Sequence, residues 1–133
     1  MAFVAREPVP EIDTSRIAYV KEQVGYWRKV NAVHKWFVDH CQDGVDECQH
    51  SYVAHARLDE LLAACKLVLA AKGGVNQDKV IEETLPPTSG FFFGSTEIDE
   101  WYWSDIQETA DLIEKLKAEP GHKYGSYFYH SSW

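Results

Sequence analysis

The chain predicts a mainly helical α+β fold: three main helices packed as a small bundle, with an ordered aromatic loop and a short C-terminal strand. Two long stretches carry apolar residues at helical spacing and end on glycine or proline, and a third does so up to Pro120-Gly121. The last ten residues instead alternate and are rich in rings, as a closing strand would be. A chain of 133 residues is the usual size of one domain, so residues 1–133 are expected to share one core. The apolar fraction of 45% fills such a core, and the aromatic fraction of 14% leaves rings to line a pocket or an interface.

In chain order, residues 1–15 are rich in proline and acid and are expected to form an extended arm. Arg16 to Val20 suits a short strand or the first turn of the next helix. From about Glu22 to Gln42, Tyr26, Val30, Val33 and Phe37 make one apolar line, with Trp27, His34, Val38 and Cys41 beside it. Asp43-Gly44 stops this helix, because glycine tolerates the left-handed geometry of a C-terminal cap. Residues 43–53 are expected to be a polar loop. A second helix spans about His55 to Lys72, with Leu58, Leu61, Leu62, Cys65, Val68 and Leu69 as its stripe and Gly73-Gly74 as its stop. Asp78 to Thr84 suits a short helical turn, broken by Pro86-Pro87.

The segment PPTSGFFFGST, Pro86 to Thr96, places three phenylalanines between two glycines that let the backbone bend while the rings bury. Thr96 is expected to cap a third helix over about Glu97 to Ala118, with Asp99 in a capping-box position. Its stripe is Ile98, Tyr102, Ile106, Thr109, Ile113 and Leu116. The tail, Tyr124 to Trp133, is expected to pair with the chain near residues 16–20 or 2–5.

Charge and composition narrow the function. Thirteen basic against 21 acidic residues give a net charge of −8, which disfavours direct nucleic-acid binding through released counterions. An acidic surface suits solubility, basic protein partners or mimicry of a nucleic acid's field. No run reaches the ~18 apolar residues of a membrane span, and the first 13 residues lack the apolar core of a signal peptide. Three cysteines make no disulfide framework, so the expected location is the cytoplasm, with no membrane partner.

Three constellations carry candidate chemistry. Arg28, Asn31 and Lys35 recur at i, i+3, i+7 with His34 beside them, flanked by Trp27 and Trp36. Such a strip suits an anion, a nucleotide or a partner's carboxylate, with arginine for forked contacts, lysine for point charge and tryptophan for stacking. It equally suits satisfied core groups, or an internal pairing of Arg28 with Glu97 or Asp99. The second constellation is the loop-to-helix junction, where Ser89, Ser95 and Thr96 resemble an anion site at a helix N-terminus. Glu97, Asp99 and Glu100 would repel a phosphate there, complement the helix dipole, and could pair with Arg28 and Lys35 or hold a divalent cation. The third, His40, Cys41, Cys48, His50 and His55, has no standard zinc spacing, so no metal and no cofactor is expected. P-loop, dinucleotide, zinc-protease and nucleophile-elbow motifs are missing from the sequence.

The blocks YWRKVNAVHKWFVDHCQDGVDEC (26–48) and LPPTSGFFFGSTEIDEWYWSDI (85–106) resemble a family of small accessory proteins encoded by tailed phages and prophages. The resemblance covers about a third of the chain and implies a setting inside a bacterial cell, without supplying any catalytic residue. The expected function is therefore a non-enzymatic binding protein, its partner a host protein, including a defence component to be inhibited, or a small-molecule ligand. Its site is expected where helix one meets the 88–100 loop, with Trp27, Arg28, Asn31, His34 and Lys35 facing Phe91, Phe93, Ser95, Glu97 and Asp99. The alternative is a small hydrolase or transferase using His34 with Glu97 or Asp99 as acid and base.

Overall fold

The computed structural model describes residues 13–28, 30–88 and 97–131. It is mainly helical, with four α-helices and a two-stranded antiparallel sheet: α1 (Asn31–Cys41), β1 (Ser51–Val53), α2 (His55–Ala71), α3 (Gln77–Thr84), α4 (Glu100–Ala118) and β2 (Tyr127–Tyr129). Short 3-10 turns at Thr14–Arg16 and His122–Tyr124 complete the described elements. The expected arm before residue 13, and the aromatic loop with Phe91, Phe93, Ser95 and the Thr96 cap, lie outside the described residues.

The bundle is built on α2 and α4, which pack most extensively on each other, with α3 folded back against α2. Leu58, Leu61, Leu62, Cys65 and Val68 of α2 are buried. Tyr102, Ile106, Ala110 and Ile113 of α4 join them in one cluster, and Thr109 and Leu116 are buried on the same helix. Val33 and Phe37 of α1, Ile81 of α3, Leu85 and Val53 close the same core. Two ion pairs bridge the outer edges of α2 and α4, Lys66–Glu114 at 2.9 Å and Lys117–Asp59 at 2.6 Å. Both are solvent-exposed, so burial of the apolar stripes carries the packing.

Helix one begins nine residues later than its apolar pattern predicts. Residues 21–28 hold no regular secondary structure and run across α4. Gly25 shows why: a Cβ placed on it would lie 2.5 Å from Leu112 Cδ2, so the backbone itself packs on α4. Two residues on, Trp27 donates from Nε1 to Thr109 Oγ1 at 2.8 Å, and that hydroxyl donates to the Asp105 carbonyl at 2.8 Å. Trp27 thus reaches the core from an extended segment, while Tyr26, expected on the buried line, is exposed. α1 ends as expected: Asp43 and Gly44 take positive φ of 53° and 78°, and Gly44 N–H donates to the Val38 carbonyl at 2.9 Å.

Helix four also starts late. Its cap is Asp99, whose carboxylate accepts from Tyr102 N–H at 3.1 Å, so Glu97 and Ile98 precede the helix and Ile98 is exposed. The closing strand exists but pairs elsewhere. β2 aligns with β1, Ser51 opposite Tyr129 and Val53 opposite Tyr127. This replaces both the expected polar loop through residue 53 and the expected pairing with residues 16–20. Segment 17–20 is exposed and carries no strand.

Burial pushes the Cys65 thiol up to about 12, and holds the Tyr102 and Tyr129 phenols above their ordinary values, with a nearby acidic group adding to each. A raised value in the folded state favours the neutral form. The stability these groups lend is present in full below the ordinary values of 9.0 for the thiol and 10.0 for the phenols. It is lost as pH rises beyond them. The melting temperature followed by circular dichroism is expected to show no loss from these groups between pH 7 and 8.5, and a steep fall above about pH 10.

Candidate binding cleft

A cleft of about 370 Å³ opens between the entry to α1 and the first turns of α4. Arg28, Val30, Asn31 and Ala32 line one side, and Glu97, Asp99, Trp101, Tyr102, Asp105 and Ile106 the other. Four residues of the expected site, Arg28, Asn31, Glu97 and Asp99, therefore share one concave surface. The floor is rigid. Asn31 accepts from Thr88 N–H through Oδ1 at 3.0 Å, which fixes the chain leaving the diproline, and Tyr102 donates from Oη to the Leu85 carbonyl at 2.7 Å.

The rim is open. Trp101 is 72% exposed, and Arg28 is exposed with no hydrogen bond or ion pair among the described residues. The internal pairing of Arg28 with Glu97 or Asp99 is therefore not the arrangement found. The Asp105 carboxyl is held above its ordinary range, first by burial and then by the neighbouring charges of Glu108 and Asp99. Cleft chemistry is thus an indole face beside several carboxylates, with one guanidinium at the mouth.

The remaining expected residues sit elsewhere. Because α1 starts at Asn31, Arg28 is not on the helical strip that its spacing with Asn31 and Lys35 implied. Lys35 pairs with Asp39 one turn along, at 2.9 Å. Trp27 points to Thr109, with its ring tilted against Phe37 at 5.5 Å and Tyr129 at 6.3 Å. His34 is 3% exposed and does not line the cleft beside Glu97 and Asp99.

His34 belongs to a polar chain that its spacing could not reveal. Nδ1 lies 2.6 Å from Tyr129 Oη and Nε2 lies 3.0 Å from Asp46 Oδ2. A carboxylate only accepts, so the consistent assignment has Nε2–H donating to Asp46 and the Tyr129 hydroxyl donating to Nδ1. Tyr129 also stacks on Phe37, with centroids 4.1 Å apart and planes 9° from parallel. Asp46 Oδ1 is buried with no hydrogen-bond partner among the described residues, so the carboxylate leans on this contact. The only sequence signal was the position of Asp46 in a loop otherwise read as solvated.

The histidine–cysteine group does not assemble. His40 stacks on Trp36 at 4.4 Å and its Nδ1 bonds to the Trp36 carbonyl, while the half-buried Cys41 thiol is raised chiefly by burial. Among the described residues no three His, Cys, Asp or Glu side chains converge as metal ligands would. No helix among them is long and apolar enough to cross a membrane. Compared with known proteins, the chain matches no protein-family model, no curated protein and no solved structure. The phage-protein resemblance rests on its two sequence blocks alone.

Removing His34 strands a buried carboxylate and a phenol together. His34→Ala is expected to lower stability by about 3 kcal/mol or more, and Tyr129→Phe, which keeps the ring stack, by about 1–2 kcal/mol. Chemical denaturation of the two variants beside the parent protein checks the order; no loss in Tyr129→Phe would mean that the ring stack, not the hydrogen-bonded chain, matters.

Proposed function

We propose that this protein is a non-catalytic binding protein, a phage- or prophage-encoded accessory factor that holds a host protein in the cleft between α1 and α4. The observation that carries this reading is the uncommitted Arg28 guanidinium at the mouth of a cleft whose other rim is the exposed Trp101. Arginine and tryptophan are among the residue types enriched at the energetic centres of protein interfaces. The carboxylates of Glu97, Asp99 and Asp105 select a partner segment with a basic side chain, in keeping with the chain's net charge of −8. Two sequence blocks support the phage setting, and inhibition of a host defence component fits a small acidic protein with such a cleft. The acid–base alternative has less support, because His34 gives its ring nitrogens to Tyr129 and Asp46.

The test begins with a photo-crosslinking residue at position 101, and a control at position 75, which is fully exposed in the α2–α3 turn. A host protein captured from position 101 and not from 75 is then purified for titration. Arg28→Ala and Trp101→Ala are each expected to weaken binding by roughly 1.5–3 kcal/mol. Melting temperatures should stay within about 2 °C of the parent, since exposed side chains contribute little to stability. Unchanged affinity in both variants would reject the cleft as the site, and a large fall in melting temperature would make Arg28 scaffold.

A further inference from the structure

Five of the six histidines gather around the two-stranded ribbon: His34 against Tyr129, His50 and His130 at one end, His55 and His122 at the other. Most are committed. His34 is bonded at both nitrogens, His40 bonds to the Trp36 carbonyl, His55 Nε2–H donates to the Gly125 carbonyl at 2.8 Å, and His122 Nδ1 lies 2.8 Å from Tyr127 Oη. His50 and His130 differ. Neither makes a hydrogen bond or ion pair among the described residues, both are exposed, and the two rings face each other with centroids 4.1 Å apart and planes 4° from parallel. Their placement follows from the ladder: with Ser51 opposite Tyr129, the next pair outward is His50 opposite His130.

We propose that His50 and His130 form a two-point site for a borderline divalent transition-metal ion of the nickel, copper or zinc type. Imidazole nitrogen is the preferred neutral donor for these ions. Metal–nitrogen bonds of about 2.0–2.1 Å at a cis or tetrahedral angle need donor atoms about 2.9–3.4 Å apart. The stacked rings lie in nearly parallel planes with centroids 4.1 Å apart, so each exposed ring must swing about its side-chain torsions until its plane turns toward the other, which brings one nitrogen of each to a shared ion. Each neutral ring donates one lone pair, no electron changes hands, and water fills the remaining positions. The ion would fasten the end of β2 to the start of β1. With two protein ligands the site is exchangeable, of modest affinity, and selective against hard cations that require oxygen donors.

Calorimetric titration of the full chain with nickel chloride at pH 7.5 is expected to show one ion per chain, and magnesium chloride none. His50→Ala and His130→Ala should each weaken nickel binding by at least ~10-fold, because the second donor acts at high effective concentration. His40→Ala should leave it unchanged. Independently of any variant, paramagnetic nickel should broaden amide resonances of residues 50–52 and 128–130 first. Nickel affinity that survives either ribbon substitution, broadening centred elsewhere, or the absence of binding would overturn the proposal.

Discussion

The hydrogen-bonded chain from Tyr129 through His34 to Asp46 is the constraint on which the rest of the architecture turns. It places an imidazole and a carboxylate out of water, which is tolerable only when each has its partner. Three separate parts of the chain must be in place to supply them: α1 for His34, the loop after it for Asp46, and the tail strand for Tyr129. The phenol ring lies on Phe37 and near Trp27, so the same residue that completes the polar chain also seals the apolar core beside it. Position 129 thereby fixes the register of β2 on β1, since a one-residue slip would turn the tyrosine to solvent.

Helix α4 governs the opposite face. Its capping turn at Asp99 presents Trp101, Tyr102 and Asp105 along one wall. Its middle turns hold the incoming chain, through Thr109 to Trp27 and through Leu112 to the bare backbone of Gly25. The cleft exists because that incoming chain is extended. A continuous helix from residue 22 would carry Arg28 on its own cylinder rather than at the edge of a gap. The two halves share Trp27, which bonds to α4 and lies against Phe37 of α1 and Tyr129 of β2.

Much of the helical framework was legible. The stripes of α2 and α4 and the stops at Asp43-Gly44 and Gly73-Gly74 are local, repeated and unambiguous, and the structure follows them closely. Helix starts were less so. Val30 caps α1 without a side-chain bond, so nothing at Asn31 announces a beginning, and Val24, Trp27 and Val30 keep the helical rhythm although the helix starts only at Asn31. Ser51–Val53 is too short for alternation to stand out, and its partner lies more than 70 residues away. In the cleft, Arg28, Asn31, Glu97 and Asp99 were recognisable as polar residues between aromatic blocks. Trp101 and Asp105, one turn apart on α4, join them and lay outside the expected apolar stripe. The His34 chain was illegible for a simpler reason: its members are 12 and 95 residues apart, and no periodicity links them.

That 95-residue span has a consequence for how the molecule comes into being. On the ribosome the chain emerges N-terminus first, and α1, Asp46 and the α2–α3 pair all leave the tunnel before residue 129 has been added. Until then His34 lacks its Tyr129 partner, and Phe37 lacks the phenol ring that stacks on it. The α2–α4 pair can settle first, as local helical packing does. The nascent protein thus passes through a stage with an assembled helical pair and an unsealed N-terminal face. That stage ends only when residues 127–129 have emerged to lie along residues 51–53.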